Sequence, residues 1–145
     1  MAKEIRTEID INAPPERVWS LLTDFAAFPS WNPFIRKATG EPKVGTRLDV
    51  SLGASGTKPM GFKPRVLNAD ANRELRWLGR LAIPGLFSGE HIFTIEPAGD
   101  AKVRFIQREI FKGLLVPLMA KSLDVNAKRG FEEMNPALKQ KAESG

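Results

Sequence analysis

The sequence predicts an α+β fold: a curved antiparallel sheet of about seven strands, two short helices after the first strand, and a long helix at the end. Three observations carry this. Residues 3–12 and five later stretches alternate apolar and polar side chains with the period of two of a half-buried strand, and a short further strand is expected at 35–39. Residues 13–34 change to a helical period directly after the first strand, and from Gly113 the helical period returns and persists almost to the end.

In the first strand Ile5, Thr7, Ile9 and Ile11 share one face, and Arg6, Glu8 and Asp10 the other. Asn12 is the expected N-cap of the following helix. Pro14 and Pro15 suit its first turn, and Glu16 favours the positive end of the helix dipole. Val18, Leu21, Leu22 and Phe25 recur at i, i+3, i+4 and i+7 and form one apolar face that needs a sheet to cover. Pro29 and Pro33 bracket Ser30, Trp31 and Asn32 and prevent a long continuation. A second short helix is therefore expected near 25–30, with Trp31 and Phe34 at a bend.

A strand over 35–39 leads into a turn-rich connection at 40–45, after which Leu48, Val50 and Leu52 alternate. Residues 53–58 have the glycines of a phosphate loop but not its Gly-Lys-Ser/Thr order, and no helix follows, so they read as a hairpin turn. Met60, Phe62, Pro64 and Val66 form the next face, where Pro64 requires an edge, a bulge or an irregular strand. Residues 70–73 turn into Leu75, Trp77 and Gly79. The apolar loop 83–87 would be costly in water, so it is expected over the core rim or a ligand mouth. His91, Phe93 and Ile95 then share a face. After a hairpin at 98–101, Val103, Phe105, Gln107 and Glu109 share another.

In the closing helix Leu115, Met119, Leu123, Ala127, Phe131, Met134 and Leu138 form the longest apolar stripe of the chain, which marks this helix as the stability anchor with Leu123 at its middle. Pro117 fits the first turn. Pro136 is expected to kink the helix or start a new segment, and 143–145 to fray.

At 145 residues the chain fits one domain, 1–145. No apolar run approaches the roughly 18 residues of a membrane span, so stable membrane insertion is not expected. The first residues lack the apolar core of a secretory signal, which points to a cytoplasmic location. Without cysteine there are no disulfides, no thiol chemistry and no thiolate zinc site. The net charge of +5 raises nucleic acid or an anionic membrane as partner. The basic residues are scattered, however, and no RNA-recognition or helix-turn-helix signature is present, so they read as a solvated surface with no nucleic-acid partner. No carboxylate cluster has metal spacing, and there is no nucleophile elbow or dinucleotide fingerprint, so neither metal nor cofactor is expected. Oligomeric state is not encoded in any of these features.

Pro15, Val18, Trp19, Leu21, Leu22 and Phe25, followed by Trp31-Asn32-Pro33-Phe34, form a pattern. It continues in order through Leu75-Arg76-Trp77-x-Gly79, Gly89-x-His91-x-Phe93-x-Ile95-Glu96-Pro97, Gln107-x-Glu109-x-Phe111-x-Gly113-Leu114-Leu115 and Gly130-Phe131-x-x-Met134-Asn135-x-x-Leu138. Over nearly the whole chain this resembles the SRPBCC or START-like superfamily, close to its polyketide cyclase/dehydrase and lipid-transport branch. The resemblance implies a helix-grip fold, in which a curved sheet closes around the last helix and leaves an interior space. It does not fix a reaction, because carriers, cyclases and hydrolases share that fold.

His91 is the sole histidine, and its strand partners place its ring inward. It is either a core histidine bonded to a backbone carbonyl or a ligand-facing group. Glu109, if inward, needs a polar partner or a ligand; near a strand end it can instead reach solvent or an arginine. Together His91 and Glu109 are the candidate acid–base pair. Trp31, Phe62, Trp77, Phe87 and Phe93 are the candidate aromatic lining, with Phe105, Gln107, Met119 and Leu123 beside them; simple core is the competing assignment for the aromatics. The leading functional expectation is binding of a small lipophilic molecule. A cyclase- or dehydratase-type enzyme is the alternative, and a protein-interaction module without ligand the third.

Overall fold

The computed structural model describes residues 2–80 and 83–144. Strand β1 (Ala2–Ile11) leads to helix α1 (Pro15–Thr23), a 3-10 turn (Phe25–Ala27) and the one-turn helix α2 (Phe28–Trp31). Seven strands follow: β2 (Ile35–Thr39), β3 (Asp49–Leu52), β4 (Met60–Phe62), β5 (Arg65–Asp70), β6 (Glu74–Arg80), β7 (Ser88–Gly99) and β8 (Lys102–Lys112). The chain closes with α3 (Val116–Ser122), a π-helical segment (Leu123–Ala127) and α4 (Lys128–Glu143). The order β1-β8-β7-β6-β5 makes a five-stranded antiparallel sheet, and β2-β3-β4 a three-stranded one. Val66 joins them, donating its backbone N–H to Thr46 and accepting from Gly45. This is the helix-grip fold.

The strand expected through 60–66 is two strands, which gives eight among the described residues instead of about seven. Pro64 has no N–H for a ladder, and the chain changes sheets there: β4 pairs with β3, β5 with β6.

Asn12 does not cap α1. The cap residue is Pro14 in extended conformation, without a side-chain hydrogen bond. A side-chain cap needs an N–H two or three residues on, and after Asn12 those positions are Pro14 and Pro15. The backbone N–H of Asn12 instead donates to the Glu143 carboxylate at 2.8 Å. Lys139 reaches the same carboxylate at 2.6 Å, and Arg17 donates to the carbonyls of Lys141 and Ala142. Glu143 is therefore tied to the start of α1 where fraying was expected; Gly145 lies outside the described residues.

Pro136 does not interrupt α4. Pro136 and Glu132, whose carbonyl loses its helical donor, are both exposed, so water can satisfy that oxygen. The departure from α geometry comes earlier, at Leu123–Ala127. A stripe stepping by four overshoots the about 3.6-residue α turn, and the wider π turn takes up the drift between Met119 and Phe131. Phe131, Met134 and Leu138 are fully buried beneath the sheet with Ile11, Leu22 and Phe105, whereas Met119, Leu123 and Ala127 are half-buried. The anchoring part of the helix is α4. No described helix is long and apolar enough to cross a membrane.

Candidate functional site: an apolar cavity with a buried histidine and a half-buried carboxyl

Strand register places His91 on β7 directly opposite Trp77 on β6 and Glu109 on β8. All three side chains face the last helix, as the alternation requires. His91 is 1% exposed, stacked on Phe93 at 4.2 Å between ring centroids, with Phe131 at 5.0 Å and Trp77 at 5.5 Å.

A chain of hydrogen bonds holds the imidazole from one side. Thr7 Oγ1 donates to the Gln107 carbonyl at 3.2 Å and accepts from Asn135 Nδ2 at 2.9 Å. Asn135 Oδ1 accepts from Gln107 Nε2 at 2.8 Å. Gln107 Oε1 is left as an acceptor, 2.9 Å from His91 Nε2. With Gln107 Oε1 as the acceptor, the imidazole proton is assigned to Nε2, which leaves the lone pair on Nδ1. Glu109 Oε1 lies 3.7 Å from Nδ1.

Both groups are uncharged at neutral pH. Burial among aromatic rings lowers the His91 pKa to about 4, against a smaller opposing effect of the Gln107 bond, and burial raises that of Glu109 to about 8. The carboxyl fits because residue 89 is glycine: a Cβ there would stand 2.5 Å from Glu109 Oε2. At Gly130 a side chain would overlap the Phe34 ring, so this glycine lets α4 approach the bend after α2.

His91 and Glu109 form part of the wall of a cavity of about 290 Å³, bounded by the β3–β4 turn, the ends of β6 to β8, α3 and the π segment. Of the residues singled out from sequence, Phe62, Trp77, Phe87, His91, Glu109, Met119 and Leu123 line it. Trp31, Phe93, Phe105 and Gln107 do not. Trp31 packs edge-on to Phe28 at 5.5 Å, Phe93 lies beneath His91, Phe105 is fully buried against Phe93, and Gln107 is enclosed in the relay. The expected backbone-carbonyl partner of His91 is the Gln107 side chain, and among the described residues Glu109 forms no ion pair with an arginine, while Arg80 lines the same cavity.

Phe34, Phe111, Lys58, Arg80, Ser122 and Asn126 also line the cavity and were missed. Phe111 continues the inward alternation of 103–109 by one step, a signal available in the sequence. Asn135, a buried polar residue in the apolar stripe of α4, signalled an internal partner. Thr7 gave no such sign.

The sequence profile of the family described as polyketide cyclase / dehydrase and lipid transport matches residues 2–143. The chain belongs to this family. Among solved structures, a START superfamily protein from Mycobacterium smegmatis is 23% identical, with a TM-score of 0.74 over 97% of each chain. The Zhui aromatase/cyclase from Streptomyces sp. R1128 is 14% identical, with a TM-score of 0.80 over 99% of this chain and 94% of that one. Norcoclaurine synthase from Thalictrum flavum is 15% identical, with a TM-score of 0.74 over 99% and 96%. At these identities the likeness to each is one of fold. No curated protein matches the chain in sequence.

Proposed function

We propose that this family member binds one small, largely apolar molecule in its cavity and orients it at the inner end through Glu109 and His91. The observation that carries this reading is the about 290 Å³ hollow, walled mainly by aromatic and aliphatic side chains, with an uncharged acid and an uncharged base side by side in the wall. Small-molecule sites run from about 300 to 1,000 Å³ and are mostly apolar with a few placed polar groups, so the volume suits a single compact ligand. A protonated carboxyl donates and a bare imidazole nitrogen accepts. Their natural partner is a hydroxyl, phenol or enol, which does both, whereas a charged group beside this neutral pair would have no counter-ion there; the cations of the wall are Lys58 and Arg80. Sequestration and transport both follow from such binding, and a cytoplasmic location belongs to the same proposal.

Native mass spectrometry of the freshly purified protein tests it. A co-purifying lipophile, reduced in His91→Phe, is the expected result, and wild type that neither retains nor takes up any lipophile overturns it.

The 3.7 Å approach of Glu109 to His91 favours a second reading, acid–base catalysis on the bound molecule. Glu109 would give a proton and His91 Nδ1 receive one, each matched to its charge state at neutral pH. The aromatase/cyclase of like fold makes a cyclase- or dehydratase-type reaction the natural class to try. Consumption of a candidate substrate by wild type but not by Glu109→Gln would establish it. The interaction-module reading required a filled core, and the cavity argues against it.

A further inference from the structure

We infer that the protein docks reversibly on an anionic lipid bilayer through a patch beside the cavity, built from Ile83, Leu114 and Leu118 with Arg80, Lys112 and Lys121. The patch is a physical unit. Leu114 and Leu115 donate their backbone N–H groups to the carbonyls of Gly85 and Leu86, at 3.1 and 3.0 Å, which ties the start of α3 to the 83–87 loop. Ile83, Leu114 and Leu118 are 63%, 81% and 83% exposed. Phe87 and Arg80 line both the cavity and a neighbouring cleft of about 140 Å³, whose walls include Lys112 and Ser88.

The last helix is apolar on two sides here. Leu115, Met119 and Leu123 turn toward the core, while Leu114, Leu118, Lys121, Val125 and Lys128 recur at steps of four and three and are all exposed. Exposed aliphatic tips flanked by lysines are the two components from which interfacial binding is built, buried apolar area and attraction to anionic lipid.

Charge selects the occupant. Between 112 and 129 the chain carries Lys112, Lys121, Lys128 and Arg129 against the single acid Asp124, which is paired with Lys3 at 2.8 Å. Among the described residues Arg80, Lys112, Lys121 and Lys128 pair with no carboxylate. A second copy is a poor occupant, because two-fold pairing would set these cations against themselves. The exposed apolar residues are flexible aliphatics without the aromatic anchors that concentrate affinity at protein interfaces. Anionic headgroups satisfy the cations, and the acyl boundary accepts the aliphatic tips without shape matching. The cleft between Arg80, Lys112 and Ser88 is placed to receive a headgroup phosphate. The surface stands on exposure and charge; only its purpose, exchange of a lipophile with the bilayer, rests on the binding reading above.

Flotation of the full chain with phosphatidylcholine vesicles, with and without phosphatidylglycerol, tests the inference. Binding to the anionic vesicles alone, weakened by salt, is expected. Lys112→Gln and Lys121→Gln should each weaken it about fivefold, and the double variant Leu114→Ser/Leu118→Ser should abolish it at an unchanged melting temperature. His91→Phe should still float, which separates this surface from the cavity. Wild type that ignores anionic vesicles, binds neutral ones equally, or keeps full binding after both leucines are replaced overturns the inference. So does a vesicle-free dimer that Leu118→Ser dissolves, which would assign the face to a second copy.

Discussion

Nδ1 of His91 lies 3.7 Å from Oε1 of Glu109, across a directly opposed pair of residues on β7 and β8. With Gln107 Oε1 accepting, the imidazole proton is assigned to the far nitrogen and the lone pair faces the carboxyl. Burial keeps the carboxyl protonated up to about pH 8 and the imidazole neutral down to about pH 4. Across that interval the cavity wall presents an acid and a base that have not exchanged a proton.

Stability should carry the mark of this pair. Glu109 is raised from 4.5 to about 8, so the folded state holds a proton that the unfolded chain releases, and stability falls as pH rises through that window. His91 is lowered from 6.5 to about 4, so its contribution falls as pH drops from 6.5 to 4. Between pH 4.5 and 6.5 the two slopes oppose. Between pH 6.5 and 8 Glu109 acts alone, and the melting temperature of wild type should decline there while that of Glu109→Gln stays flatter. Parallel profiles would show that the carboxyl ionises normally.

Gln107→Leu removes the centre of the relay and strands His91 Nε2–H and Asn135 Oδ1 in a dry site. Each unpaired buried group costs about 1 to 3 kcal/mol. Chemical denaturation should show a loss in that range or above it, and Asn135→Leu added to Gln107→Leu should recover part of the loss. Strict additivity of the two changes would argue that the relay is not a unit.

Leu138→Ala and Leu123→Ala should separate the two halves of the closing helix. Leu138 is fully buried, and its truncation should cost about 2 to 5 kcal/mol. Leu123 is half-buried on the cavity wall, so its truncation should cost clearly less while admitting a bulkier ligand. Equal destabilisation would mean that the π segment is packed as firmly as α4.

Gly89→Ala places a methyl group in the space of the Glu109 carboxyl. The carboxyl should be displaced toward the open side of the cavity, and its titration, followed by infrared spectroscopy, should fall from about 8 toward the ordinary value. An unmoved titration would show that Gly89 does not set the position of Glu109.

Alternation along β7 and β8 made the shared face of His91, Phe93, Gln107 and Glu109 legible in the sequence, because strand period alone decides which side a residue takes. Depth along that face was not legible. Phe93, Phe105 and Gln107 lie on the side chosen for them, yet they lie off the cavity wall, and nothing local distinguishes them from His91 and Glu109. The Thr7–Asn135 bond spans 128 residues, a contact only the closed fold creates. Pro64 announced an irregular strand, but a change of sheet depends on where β3 and β6 lie. The stripe on steps of four contained the π segment in disguise, since such spacing cannot stay on one face of a straight α-helix.

The most direct test of the proposed site is calorimetric titration of two ligands with one hydrocarbon skeleton, differing only in a hydroxyl group, into wild type and His91→Phe. Wild type should favour the hydroxylated ligand by about fivefold, the equivalent of a hydrogen bond worth about 1 kcal/mol. His91→Phe should bind the hydrocarbon at least as well and lose that preference. Equal affinities of wild type for both ligands, or a preference that survives in the variant, would contradict a polar inner end at His91 and Glu109.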